Sequence, residues 1–79
     1  MVPDRRVDLS GLKCPEPLMM LRQNLRSMAS GEVIGVTTTD YSTLRDFGHF
    51  CEFIGHKLLT AETIEDCNQQ FYYFLIQKN

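Results

Sequence analysis

Seventy-nine residues, 43% hydrophobic and 23% charged, make one small globular domain spanning residues 1–79 and leave no room for a second. A chain of this size buries about 60% of the surface that its unfolded form exposes, which is enough for a thin core. Eight Lys+Arg against ten Asp+Glu leave a net charge of −2, which argues against a phosphate-backbone binder, because such binding needs a clustered positive field. No apolar run reaches the roughly 20 residues that span a bilayer. The opening stretch Met1-Val2-Pro3-Asp4-Arg5-Arg6 has two arginines with no apolar segment behind them, unlike a secretory signal. The expectation is a chain that stays in the cytoplasm, with a ragged N-terminus over residues 1–4.

Arg6-Val7-Asp8-Leu9 alternates polar and apolar, which predicts a short strand with Val7 and Leu9 facing a core. After a loop at Ser10 to Lys13 the apolar period lengthens. Leu18, Leu21, Leu25 and Met28 recur at helical spacing, and Ser30-Gly31 closes that helix, with Gly31 suited to a left-handed end. Val33 to Thr39 is rich in β-branched residues and predicts a second strand. Asp40 or Ser42 then caps a second helix that runs to Ile54, with Gly55 as its stop and Leu44, Phe47, Cys51 and Ile54 as its buried stripe. Lys57 to Ile64 and Phe71 to Gln77 read as two further strands, joined by a polar turn at Glu65 to Gln69. The expected fold is an α/β (α+β) two-layer sandwich. Its order is β-α-β-α-β-β, with two helices on one face of a four-stranded mixed sheet.

Cys14, Cys51 and Cys67 are too few and too widely spaced for a disulfide framework, and no CxxC pair suggests a zinc site. In a reducing compartment they are free thiols. Cys14-Pro15-Glu16-Pro17 stands apart. Prolines are tolerated in a first helical turn, where the backbone N–H groups have no intrahelical partner, so Pro15 and Pro17 define the helix start and put Cys14 at the N-cap. Cysteine is a poor cap beside Ser, Thr, Asp or Asn, so its use there suggests that the thiol is wanted. A helix N-terminus favours thiolate over thiol. Lys13 adds to that field and Glu16 opposes it. The alternative is a small apolar residue that ends a loop.

Cys51 falls on the apolar stripe of the second helix, where a buried structural thiol is expected, and Cys67 falls in an exposed turn. His49 and Cys51 point to different helix faces and cannot share a metal. His56 reads as a polar residue at a strand start. Neither a metal site nor a cofactor is indicated. On the first helix, Glu16, Met19, Met20 and Gln23 lie away from the leucine stripe. Adjacent methionines on a solvent face form an adaptable protein-binding patch, flanked here by Arg22. One of them, Met20, is equally able to fold over the core edge.

These residues resemble the TusA (SirA-like) sulfur carrier family over nearly the whole chain. The resemblance rests on Leu12-Lys13-Cys14-Pro15-Glu16-Pro17-Leu18-Met19-Met20-Leu21-Arg22, then Gly31-Glu32, Arg45-Asp46, Phe50-Cys51 and His56-Lys57-Leu58. A bare CPxP tetrapeptide marks the wider family, and its extension to Arg22 resembles TusA members in particular. Gly48-His49, where Pro-Gly is expected, and the turn with Cys67 depart from the family pattern. The resemblance implies a cytosolic carrier of sulfane sulfur, not an enzyme in the ordinary sense. Cys14 would take a persulfide from an IscS-type cysteine desulfurase. It would pass the sulfur to a relay of the TusBCD type that makes 2-thiouridine at the tRNA wobble position. Pro15 and Pro17 then support the helix start, while Lys13, Glu16, Met19 and Arg22 form the partner-binding face. Two other classes compete with this reading. A thiol redox module would need a resolving cysteine near Cys14. An RNA-binding domain rests on likeness of fold to the C-terminal domain of a translation initiation factor, and the net charge speaks against it.

Overall fold

A computed structural model describes residues 2–79. The elements are β1 (Arg5–Leu9), α1 (Glu16–Arg26), β2 (Val33–Thr38), α2 (Thr43–Ile54), β3 (Lys57–Asp66) and β4 (Gln69–Gln77). The order along the sheet is β1-β2-β4-β3, with β1 parallel to β2 and the other two pairings antiparallel. A mixed sheet follows from the chain order. The β1–β2 connection carries a helix and so permits parallel pairing, whereas the β3–β4 connection is two residues long and forces a hairpin.

Alternation decides which face the helices cover. Ile34, Val36 and Thr38 of β2 stand opposite Ile76, Phe74 and Tyr72 of β4, and all six are buried. Leu21 and Leu25 of α1 and Phe47 and Cys51 of α2 close over this face, with Phe47 tilted against Phe74 at a centroid distance of 4.7 Å. Burial of these side chains is the main source of stability, at roughly 25 cal/mol per Å² of apolar surface. The expected β-α-β-α-β-β sandwich is the observed one.

Several boundaries differ from the expectation, each for a local reason. The first helix ends at Arg26 with Ser27 as its cap, and Ser27 and Met28 tighten onto the Asn24 and Leu25 carbonyls. Gly31, at φ +89°, therefore shapes the following loop: its N–H reaches Lys78 O at 2.8 Å. Asp4 is not ragged. Its N–H donates to Val33 O at 2.8 Å, and its carboxylate accepts the Val33 N–H at 2.8 Å. Met1 lies outside the described residues. The hairpin runs past Ile64 to a two-residue turn, Cys67-Asn68, with φ of 51° and 64°, so Glu65 pairs with Gln70 and Asp66 with Gln69. These polar residues read as a loop because the end of the hairpin is exposed, where alternation carries no signal. Ile54 is the last departure. The expected buried stripe includes it, yet the helix end leaves it 49% exposed, and half-buried Leu44 and Phe50 pack against the core beside Phe47 and Cys51.

Candidate functional site around Cys14

The chain from Gly11 to Glu16 passes over the start of α2, and hydrogen bonds fix it there. Gly11 N–H donates to Thr39 Oγ1 at 2.8 Å, and Cys14 N–H donates to Asp40 Oδ2 at 2.7 Å. The other oxygen of Asp40 accepts the Ser42 N–H at 3.0 Å, a side-chain turn that leads the backbone into α2. Bonds from the Ser42 and Cys14 amides, with Lys13 nearby, hold the Asp40 carboxyl below its ordinary range. One carboxylate thus anchors the thiol's loop and the second helix together. Thr38 and Thr43 hydroxyls bond at 2.7 Å in the core beneath it.

Pro15 is the N-cap residue, with Glu16 and Pro17 in the first turn, so Cys14 stands one residue before the position expected for it. No side chain caps the helix, and the Cys14–Pro15 peptide bond is cis. The exposed Cys14 Sγ donates to Asp46 Oδ2 at 3.6 Å, while Arg45 Nε holds Asp46 Oδ1 at 3.1 Å. The thiol therefore faces a carboxylate from the first turn of α2 as well as the start of α1. Asp40 and Asp46 are the site residues that sequence spacing misses. The pair Arg45-Asp46 belonged to the family pattern, but nothing local to it points at Cys14, which is 32 residues away.

The other named residues sort by face. Lys13, Glu16, Met19 and Arg22 are exposed, Met19 at 61%, and Met19 and Arg22 share a shallow depression on α1 with Gln23 and Arg26. Met20 instead packs on the core edge. Pro17 is buried and Pro15 exposed, so the first proline shapes the entry and the second anchors it. Cys51 is buried, and burial pushes its thiol up to about 11. Cys67 is exposed at the hairpin turn. All three cysteines are free.

The profile of the family described as "Sulfurtransferase TusA" matches residues 5–78. Sulfur carrier proteins TusA of Pseudomonas putida, from strains F1 and GB-1, are each 46% identical to the chain over 71 residues, covering 90% of it and 86% of the relative. The chain belongs to the TusA family of sulfur carriers. The crystal structure of a SirA-like protein from Desulfitobacterium hafniense superposes with a TM-score of 0.71 at 18% identity, covering 95% of this chain and 99% of that one. That likeness shows the shared fold. Within the TusA fold, the exposed thiol lies where the first helix begins and beside the first turn of the second. Among the described residues no helix is long and apolar enough to cross a membrane.

Proposed function

We propose that Cys14 carries sulfane sulfur as a persulfide, accepted from a cysteine desulfurase and handed to a relay of sulfur-transfer proteins that thiolates the wobble uridine of tRNA. The observation that carries this reading is an exposed thiol on a hydrogen-bonded loop at a helix start, in a TusA-family chain. A carrier has to present its sulfur to two successive partners, and exposure does that where a closed pocket would not. In the transfer, the Cys14 thiol gives up its proton and its sulfur attacks the outer sulfur of the donor's persulfide. A new S–S bond forms on Cys14, the donor's own S–S bond breaks, and the donor cysteine leaves with the electron pair as a thiolate. The Asp46 carboxylate already accepts the hydrogen bond of that thiol proton. Lys13, Glu16, Met19 and Arg22 form the surface that meets the partners, in the cytoplasm.

Mass spectrometry after incubation with a desulfurase and free cysteine tests this reading. One added sulfur atom is expected on the Cys14 peptide, and Cys14→Ser abolishes it. An adduct on Cys51 or Cys67 overturns the assignment. In cells lacking the protein, wobble-uridine thiolation is expected to fall, and Cys14→Ser should not restore it. The isolated chain should show no salt-dependent affinity for tRNA, since counterion release requires several clustered phosphate contacts. Tight, salt-sensitive tRNA binding that survives Cys14→Ser would favour an RNA-binding role instead.

A further inference from the structure

The half-exposed Ile54 opens onto a groove of about 190 Å³ between the C-terminal ends of α1 and α2. Leu25 and Phe50 form the rest of its apolar lining, and Arg22, Arg26 and Lys78 supply its cations. No acidic residue lines it, in a chain whose net charge is −2. Arg22 and Arg26 are one helical turn apart, a spacing at which like charges repel. Among the described residues the ion pair is Arg45 with Asp46, so none of the three groove cations is matched by a carboxylate. Lys78 Nζ is tied to the Met28 carbonyl at 2.6 Å, which fixes one charge at the rim. His56 closes the groove against Phe50, at a centroid distance of 5.6 Å. Its Nδ1 accepts the Asn79 N–H at 3.0 Å, leaving Nε2–H as a donor, and burial with Lys78 beside it holds the imidazole below its ordinary range.

We propose that this groove docks an acidic segment of a partner protein, which inserts one large apolar side chain between the carboxylate-seeking rims formed by Arg22, Arg26 and Lys78. Size selects the anchor. An apolar cavity of about 150 Å³ holds a benzene molecule, so this groove fits one aromatic or large aliphatic side chain and little more. Charge selects its neighbours: unmatched cations around a desolvated anchor are the arrangement in which a few residues dominate binding. Arg22 and Arg26 lie about 9 and 15 Å along α1 from Glu16, so the groove starts at the partner-facing surface and extends it towards the far end of the helix. The inference rests on the carrier reading for its premise that partner proteins dock here, and it adds where one of them is gripped and by what chemistry.

The test uses the full chain and the blocked pentapeptide Asp-Glu-Phe-Glu-Asp, followed by backbone amide shifts in NMR. Saturable shifts are expected at Arg22, Arg26, Phe50 and Ile54, weakening as salt is added. Arg26→Glu, at an exposed position, should weaken the affinity about tenfold with an unchanged melting temperature, and Ile54→Asp likewise. The peptide with Phe replaced by Ala, or with all acids replaced by their amides, should lose affinity to the same degree. Absence of shifts at millimolar peptide, shifts confined to other surfaces, or equal binding of the amide peptide overturns the proposal. Sulfur loading of Cys14 is measured separately on the same protein. Peptide binding without loading leaves the groove standing and sinks the carrier reading, and loading without peptide binding does the reverse.

Discussion

The Asp40 carboxylate accepts the Cys14 backbone N–H at 2.7 Å, so the residue that leads into the second helix also holds the thiol that precedes the first. The loop's other ties to this region are the Gly11 N–H bond to Thr39 Oγ1 and the Cys14 Sγ bond to Asp46 Oδ2. Because the same carboxylate receives the Ser42 amide, one side chain links the two helix starts.

Asp40→Asn weakens both bonds. The expected loss of stability is no more than about 1 kcal/mol, since both lie near the surface. The Asp40 carboxyl sits below its ordinary range, so its contribution is present above the unfolded carboxyl value and is lost as pH falls through the folded one. Urea melts across the acid range should therefore converge for the two proteins below that value. An equal difference at every pH would show that the carboxylate is not the source.

Ser42 gives a prediction of opposite sign to its reading as a helix cap. Its hydroxyl makes no cap bond and is buried without a partner. Ser42→Ala should thus be neutral or stabilising by up to about 1 kcal/mol, where loss of a true cap would cost about that much. A lowered melting temperature would return the capping role to Ser42.

Cys51 should resist alkylation in the folded protein, because burial raises its thiol to about 11, while exposed Cys14 and Cys67 react. Cys51→Ser places a hydroxyl in the apolar core and should cost about 1–3 kcal/mol. Labelling of three thiols at equal rates in native buffer would contradict the burial.

Gly35 on β2 is crowded on the face away from the helices. A Cβ there would stand 2.6 Å from Tyr73 Oη and 3.1 Å from Pro3 Cγ. Gly35→Ala should destabilise by about 1–3 kcal/mol as an overpacked site. Tyr73→Phe removes the closest atom and should recover part of that loss in the double mutant, which a chemical-denaturation cycle measures. Purely additive effects would mean that the tyrosine is not the obstacle.

The hairpin turn is built from two left-handed residues, Cys67 and Asn68, at which Asn-Gly is the preferred pair. Cys67→Asn with Asn68→Gly should raise stability by about 0.5–1 kcal/mol, read as a higher melting temperature. A decrease would show that the native pair makes contacts beyond the turn itself.

Much of this fold was legible in local patterns. Two apolar stripes at helical spacing, β-branched runs and the glycines after them suffice for element order, and Pro15 with Pro17 marks a helix start because proline acts on its own backbone. The thiol's prominence was legible for the same reason. What escaped were features that depend on where distant segments meet. Asp46 faces Cys14 only because the helices begin side by side. The thiol's neighbour is therefore a carboxylate from α2, where local reading weighed the dipole of α1, Lys13 and Glu16. Ile54 obeys the spacing of a buried stripe, but burial also requires something to cover it. At that end of α2 a groove lies open beside unmatched arginines. Periodicity assigns a residue to a face; only tertiary packing decides whether that face is closed, and by which charges.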